Sequence, residues 1–231
     1  MKIEIWSDYA CPYCYIGKRN LEQALLEFAH SDEIEVVFKV FELDPHASKE
    51  VTTKTQDRIE RKYGKSPIEA KQMIDHIVNM AAKVGLDMRY DSVQYTNTFD
   101  AHRLTKYAET KGKGTQMSES LFRAYFTNNL PLAEHEQLIN IAVELGLDRD
   151  DTKAMLESDA FVQESREDEA LANNAGIRSV PCFLIDGKEA LLGAQPKDYL
   201  LKTIEMHWAE KEVTKDGGED VLVCGSEGCA I

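Results

Sequence analysis

Two cysteine pairs carry the chemistry that this sequence offers. Cys11 and Cys14 enclose Pro12 and Tyr13, Cys224 and Cys229 enclose a four-residue spacer, and Cys182 stands apart. A Cys-x-x-Cys pair serves zinc sites and redox sites alike. In a strand–turn–helix setting, the first thiol comes to the helix N-terminus, where aligned amides favour an anion and so a nucleophilic thiolate. Cys11 is then the attacking sulfur. Cys14, one turn further in, resolves the mixed disulfide, and the short spacing lets the two sulfurs bridge with little backbone movement. Tyr13 shapes the surroundings of the pair but supplies no imidazolium. Gly225 and Gly228 make closure of Cys224 with Cys229 sterically easy, which fits an auxiliary dithiol. Two other readings stay open: exposed thiols without a role, or a four-cysteine zinc site made by both pairs. Cys182 is expected to be a small hydrophobe of a strand. His30, His46, His76, His135 and His207 show no metal-ligand spacing.

The elements that must hold Cys11 can be read from periodicity. Residues 2–7 alternate as a strand, 16–28 repeat as a helix through Leu21, Leu25 and Phe28, and 33–41 alternate again through Ile34, Val36, Phe38 and Val40. Pro12 falls in the first helical turn, where the missing amide hydrogen is not needed. This strand–helix–strand unit favours parallel pairing with a right-handed crossover. From 44 to 172 the patterns are helical, over 70–84, 99–109, 118–126, 134–145 and 160–175. Strand signals return at 182–185, Asp186-Gly187 marks a tight turn, 189–192 forms a return strand, and 197–211 repeats as a helix. The expected fold is α/β, βαβ…ββα with a large all-helical insertion. Residues 1–43 and 173–211 make a discontinuous sheet domain, 44–172 the insertion, and 212–231 a flexible acidic tail.

Composition limits the partners. In 231 residues, 27 Lys and Arg face 41 Asp and Glu, a net charge of −14. Such a molecule is poorly suited to phosphate backbones or anionic lipid surfaces, so no nucleic acid and no membrane is expected. No apolar run approaches the roughly 18 residues of a spanning helix. Met1 and Lys2 lead straight into Ile3-Glu4-Ile5-Trp6, without the pattern of a secretory leader. The expected location is cytoplasmic, where paired cysteines serve reversible redox chemistry or metal binding rather than permanent bridges.

Three further segments complete the pattern. Ser7-Asp8-Tyr9-Ala10-Cys11-Pro12-Tyr13-Cys14-Tyr15-Ile16-Gly17, Asn97-Thr98-Phe99-Asp100-Ala101-His102-Arg103, Val180-Pro181-Cys182-Phe183-Leu184-Ile185 and Gly193-Ala194-Gln195 together resemble the DsbA-like thioredoxin-fold family, in its cytoplasmic FrnE-like branch. The resemblance implies a thioredoxin fold and a thiol–disulfide oxidoreductase or isomerase with Cys11 and Cys14 as its redox pair. It implies that Pro181 is a cis-proline and that Val180 before it contacts peptide substrate and tunes the thiols. It also supports the auxiliary role of Cys224 and Cys229. No cofactor is implied; glutathione is open as a co-substrate, and a thioredoxin-type protein as a reductant, beside thiol or disulfide proteins as substrates. Hydroxychromene-carboxylate isomerases and kappa-class glutathione transferases resemble the same fold but place a serine at the nucleophile position. A glutathione-dependent isomerase or transferase of that type is one alternative; a zinc-binding interaction protein is the other. His102, beside Arg103, is expected to pack the insertion onto the sheet domain.

Overall fold

The computed structural model describes residues 1–216, with side chains through residue 211. Alternation in the first residues makes β1 (Lys2–Ser7), with Ile3 and Ile5 on one face and Trp6 on the other. α1 (Pro12–Glu27) crosses over to β2 (Glu35–Val40), which pairs parallel to β1 from Lys2–Glu35 to Ser7–Val40. β3 (Cys182–Ile185) and β4 (Glu189–Leu192) form an antiparallel hairpin on β1's other side, in the order β2-β1-β3-β4. The hairpin turns at Asp186 and Gly187, whose φ values of 50° and 70° suit an Asp-Gly pair.

Between the two halves of the sheet lie α2 (Thr55–Tyr63), α3 (Pro67–Lys83), α4 (Phe99–Glu109), α5 (Gly114–Phe126), α6 (His135–Glu144), α7 (Arg149–Glu157) and α8 (Val162–Asn174). The chain closes on α9 (Lys197–Asp216), which continues past the helix end expected at residue 211 and into the segment expected as tail. α2 and α7 were not evident as periodic segments. Each is short and buries only two or three positions, Thr55 and Ile59 in α2, and Thr152, Met155 and Leu156 in α7. Their signals are at the ends instead. Asp148 accepts hydrogen bonds from the Asp150 and Asp151 amides, and Gly64 ends α2 in the left-handed region at φ 61°.

Three apolar clusters hold these elements. α1 and α9 cover one face of the sheet through Leu21, Ala24, Leu200, Ile204 and Trp208 over Ile3, Ile5, Phe183 and Ile185. On the other face Trp6, Ala172, Ile177 and Cys182 pack together, so α8, within the stretch read as insertion, lies against the sheet. Asp168 of α8 accepts from Lys39 Nζ at 2.8 Å and from the Val40 amide at 3.2 Å, shielding the open edge of β2. The third cluster fills the helical block around Leu104, Leu121, Phe122, Tyr125 and Phe126 and runs on into Tyr9, Cys14, Tyr15 and Ile16. The insertion and the Cys11 end of α1 thus share one core. No helix among the described residues is long and apolar enough to cross a membrane.

Candidate active site

Cys11 is the N-cap of α1 and Pro12 its first residue, as the first-turn proline predicts. The loop before it is tight, with the Cys11 amide donating to Asp8 O at 3.0 Å and the Cys14 amide to Cys11 O at 3.1 Å. Both thiols are free and buried, with 4% of Cys11 and 2% of Cys14 exposed. They differ in access. A cavity of about 420 Å³ is lined by Cys11, Tyr13, Ser179 and Val180 but not by Cys14. Burial, and then the neighbouring Cys11, push the Cys14 thiol well above its ordinary range, outweighing the Asp8 backbone and the Ser7 side chain, which favour its anion.

The second element predicted for the site faces the first. The Val180–Pro181 peptide is cis, and Cys11 Sγ lies 3.7 Å from the Val180 carbonyl oxygen. Pro181 O accepts from the Gly193 amide at 2.8 Å, while Asn20 Nδ2 of α1 donates to Gln195 O at 2.8 Å. α1 approaches this loop at Gly17, where a Cβ would stand 3.0 Å from Pro181 Cγ and 3.1 Å from Phe183 Cζ. Gly17 is therefore a packing glycine that sets the spacing between helix and proline loop. The outer side of α1 is fixed to α5. Buried Lys18 meets Glu119 at 2.5 Å and also Glu22, Arg19 reaches Glu119 at 2.9 Å, and Tyr15 donates to Glu119 Oε1 at 2.8 Å.

Cys182 follows Pro181 but belongs elsewhere. Strand alternation puts it on the face with Trp6, away from the face that packs on α1, and it is fully buried there. Burial raises its thiol above the ordinary value. Cys224 and Cys229 lie outside the described residues. Among the described residues no three His, Cys, Asp or Glu side chains are placed to hold a metal ion.

Behind the thiols lies a polar cluster of which the sequence reading anticipated only the packing role of His102; the buried Asp8 at its centre was not singled out. Asp8 is 2% exposed and accepts from the Ala10 amide (3.0 Å), the Leu43 amide (2.7 Å) and Thr98 Oγ1 (2.8 Å). His102 of α4 is buried against it, with Nε2 3.7 Å from Asp8 Oδ1 and the ring centroid 4.8 Å from that of Tyr9. His102 thus packs the helical block onto the loop after β1. Burial disfavours the Asp8 charge, but His102 and the two amides outweigh it, and the carboxyl lies below its ordinary value. Asp8→Asn keeps the shape and turns an NH₂ group toward one of these donors. It is expected to destabilise the protein by about 2–3 kcal/mol at neutral pH in urea denaturation. The Asp8 contribution is complete above the unfolded carboxyl's 3.8 and is lost as pH falls through the lower folded value. The gap between wild type and variant must therefore narrow in acid; a gap independent of pH would contradict the charged network.

Comparison with known proteins agrees with this fold. The model of the DSBA-like thioredoxin domain family matches residues 2–205. The structure is similar to the probable DsbA oxidoreductase SCO1869 from Streptomyces coelicolor, with 34% identity, a TM-score of 0.86, and coverage of 100% of this chain and 99% of that one. The Bacillus subtilis (strain 168) protein YwbO is 28% identical over 208 residues, 87% of this chain and 94% of the other. The fold is also that of the cytosolic disulfide reductase DsbM from Pseudomonas aeruginosa, solved with GSH, at 16% identity and a TM-score of 0.61, covering 94% of this chain and 100% of that one.

Proposed function

Because the chain belongs to the DSBA-like thioredoxin domain family, we propose that it is a thiol–disulfide oxidoreductase of the FrnE-like branch. Cys11 exchanges with substrate and Cys14 completes the exchange. One observation carries the reading: of two buried thiols at the same helix end, Cys11 alone lines the cavity. A substrate sulfur entering there reaches Cys11 first and Cys14 only through it.

In the reducing direction the Cys11 thiolate attacks one sulfur of a substrate disulfide. The substrate S–S bond breaks, the departing sulfur leaves with the electron pair, and a Cys11–substrate disulfide forms. Cys14 then gives up its proton and attacks Cys11 Sγ. The second substrate sulfur leaves as a thiolate, the Cys11–Cys14 bond forms, and the substrate has gained two electrons and, once protonated, two protons. The reverse sequence oxidises a dithiol. Val180 borders this path, and with the cis Pro181 behind it presents its backbone to an extended substrate segment. Continued reduction draws on an external thiol, either glutathione or a thioredoxin-type protein, and the cytoplasm is the compartment that supplies it. Cys224 and Cys229 serve as an auxiliary dithiol for the same pair.

The test is a thiol map of the full chain before and after mild oxidation, with an insulin-reduction assay on the same preparation. The expected product joins Cys11 to Cys14 in one tryptic disulfide and is reopened by dithiothreitol. Cys11 and Cys14 that stay separate under conditions that oxidise thioredoxin-type proteins would refute the reading.

A further inference from the structure

The cavity at Cys11 has a charge opposite to that of the molecule around it. The protein carries a net charge of −14, yet Arg58, Lys62 and Arg178 line this cavity and no Asp or Glu does. Several cations elsewhere are taken up by carboxylates, as Lys39 and Lys106 are by Asp168 and Arg166 is by Glu42. The cavity's three form no ion pair among the described residues. Arg58 lies over Tyr95, with its guanidinium carbon 3.9 Å from the ring centroid and its buried Nε without a hydrogen-bond partner among the described residues. Among the described residues Arg178 donates only to the neutral Asn173 side chain at 2.8 Å, and Lys62 stands 5.7 Å from the Tyr63 ring. Leu43, Arg58 and Lys62 also line a second cavity of about 550 Å³, which extends along the same path past Arg61 to Ser48. Its one carboxylate, Asp44, already accepts from Tyr95 Oη at 3.2 Å.

We propose that this groove selects disulfide-bearing polypeptides whose residues flanking the cysteine are acidic. The inference rests on the exchange reaction above and names the substrate class for the same site. An acidic segment is repelled by most of this surface and attracted at one place, which brings its disulfide to Cys11 already oriented; a basic segment meets the reverse arrangement. The two cavities joined through Arg58 and Lys62 extend away from the thiol as a path for an extended chain rather than a pocket for one side chain. The chemical step is unchanged: one disulfide bond breaks, one forms, and the reduced protein supplies both electrons.

The experiment mixes the fully reduced full-length protein in single turnover with three disulfide peptides that differ only in having Glu, Gln or Lys beside the cysteines. At low salt the Glu peptide is expected to react about tenfold faster than the Gln peptide and the Lys peptide more slowly than either. This spread should close in roughly 0.5 M salt, where screening shortens the field to a few ångströms. Arg58→Gln/Lys62→Gln/Arg178→Gln should bring the Glu-to-Gln ratio to about one, and Lys62→Gln/Arg178→Gln, which alters exposed side chains only, should bring it part of the way. Lys83→Gln/Lys111→Gln/Lys202→Gln has the same net charge as the groove triple variant and should keep the ratio. Equal rates for the three peptides in wild type, or a spread that survives the groove substitutions, overturn the acidic selection alone. Oxidised glutathione reacting faster than the Glu peptide overturns the polypeptide assignment in favour of a small anionic disulfide. Failure of wild type to react with any of these disulfides overturns the exchange reading and the selection with it.

Discussion

Cys11→Ser is expected to lower insulin reduction by about a thousandfold or more, the scale on which an enzyme loses rate when its covalent nucleophile is removed. A serine hydroxyl at the same N-cap stays protonated at neutral pH and forms no bond to sulfur under these conditions. Cys14→Ser has a different signature. The thiol that reaches the cavity is intact, so the first attack proceeds, but nothing resolves its product. The variant should accumulate a covalent Cys11–substrate adduct, seen by mass spectrometry as the protein plus one substrate chain and released by dithiothreitol. A Cys14→Ser protein that turns over insulin like wild type would show that Cys14 does not resolve the adduct. The pH dependence separates the steps further. Burial first, and Cys11 second, hold the Cys14 thiol well above its ordinary range. Once Cys11 is in a mixed disulfide its own charge is gone and burial remains, so resolution still relies on a minor thiolate population. The resolution rate, followed by acid quench of the adduct, should rise by about tenfold per pH unit across neutrality. A flat profile would show that Cys14 is ionised or that proton removal is not limiting.

The second large effect is on stability and lies far from the thiols in sequence. Arg103→Met is expected to remove about 3 kcal/mol, the lower end of the range for breaking a buried ion pair. Only 4% of Arg103 is exposed. Its Nη1 donates to Asp100 Oδ1 at 2.7 Å, its Nε to Ala160 O at 2.9 Å, and its Nη2 to Met155 O at 2.9 Å and to Ser158 O. Met155 stands in the last turn of α7 and Ser158 is its C-cap, so the guanidinium takes up the Ser158 carbonyl at the helix end and adds a donor to Met155 O, which also accepts from the Ser158 amide and Oγ. Without it, those oxygens stay desolvated and Asp100 keeps only His135 at 2.9 Å and Lys49 at 3.3 Å. That residual pairing is why the loss falls at the lower end. For a chain of this length the melting temperature should drop by roughly 6–12 °C. Arg103→Lys should recover only a minor part, because an ammonium cannot present a planar fork to carbonyls in several directions. A shift within about 1 °C of wild type would mean that water replaces the fork.

Much of the strand and helix that carry Cys11 was legible because their signals are local. Alternation in residues 2–7, a proline in the first turn of α1 and an Asp-Gly turn between β3 and β4 each act within a few residues of where they stand. Their order was enough for the βαβ…ββα arrangement, and the resemblance supplied the cis geometry of Pro181. Two short helices stayed hidden for the converse reason. α2 and α7 bury too few residues for periodicity to register, and only their ends, Gly64 and Asp148, mark them.

The covalent chemistry open to this protein was thus present in the linear order of residues: two thiols one turn apart, set at the start of a helix behind a strand. Access to that chemistry was not. Which thiol opens to the cavity, which side of the sheet receives Cys182, how Asp8 meets Thr98 and His102, and where Arg58 and Arg178 face one cavity all depend on pairings between residues tens to more than a hundred positions apart. Spacing along a chain governs contacts within a turn or a strand. Contacts across such separations form only when the apolar clusters bring their elements together, and so they could be read only from the folded molecule.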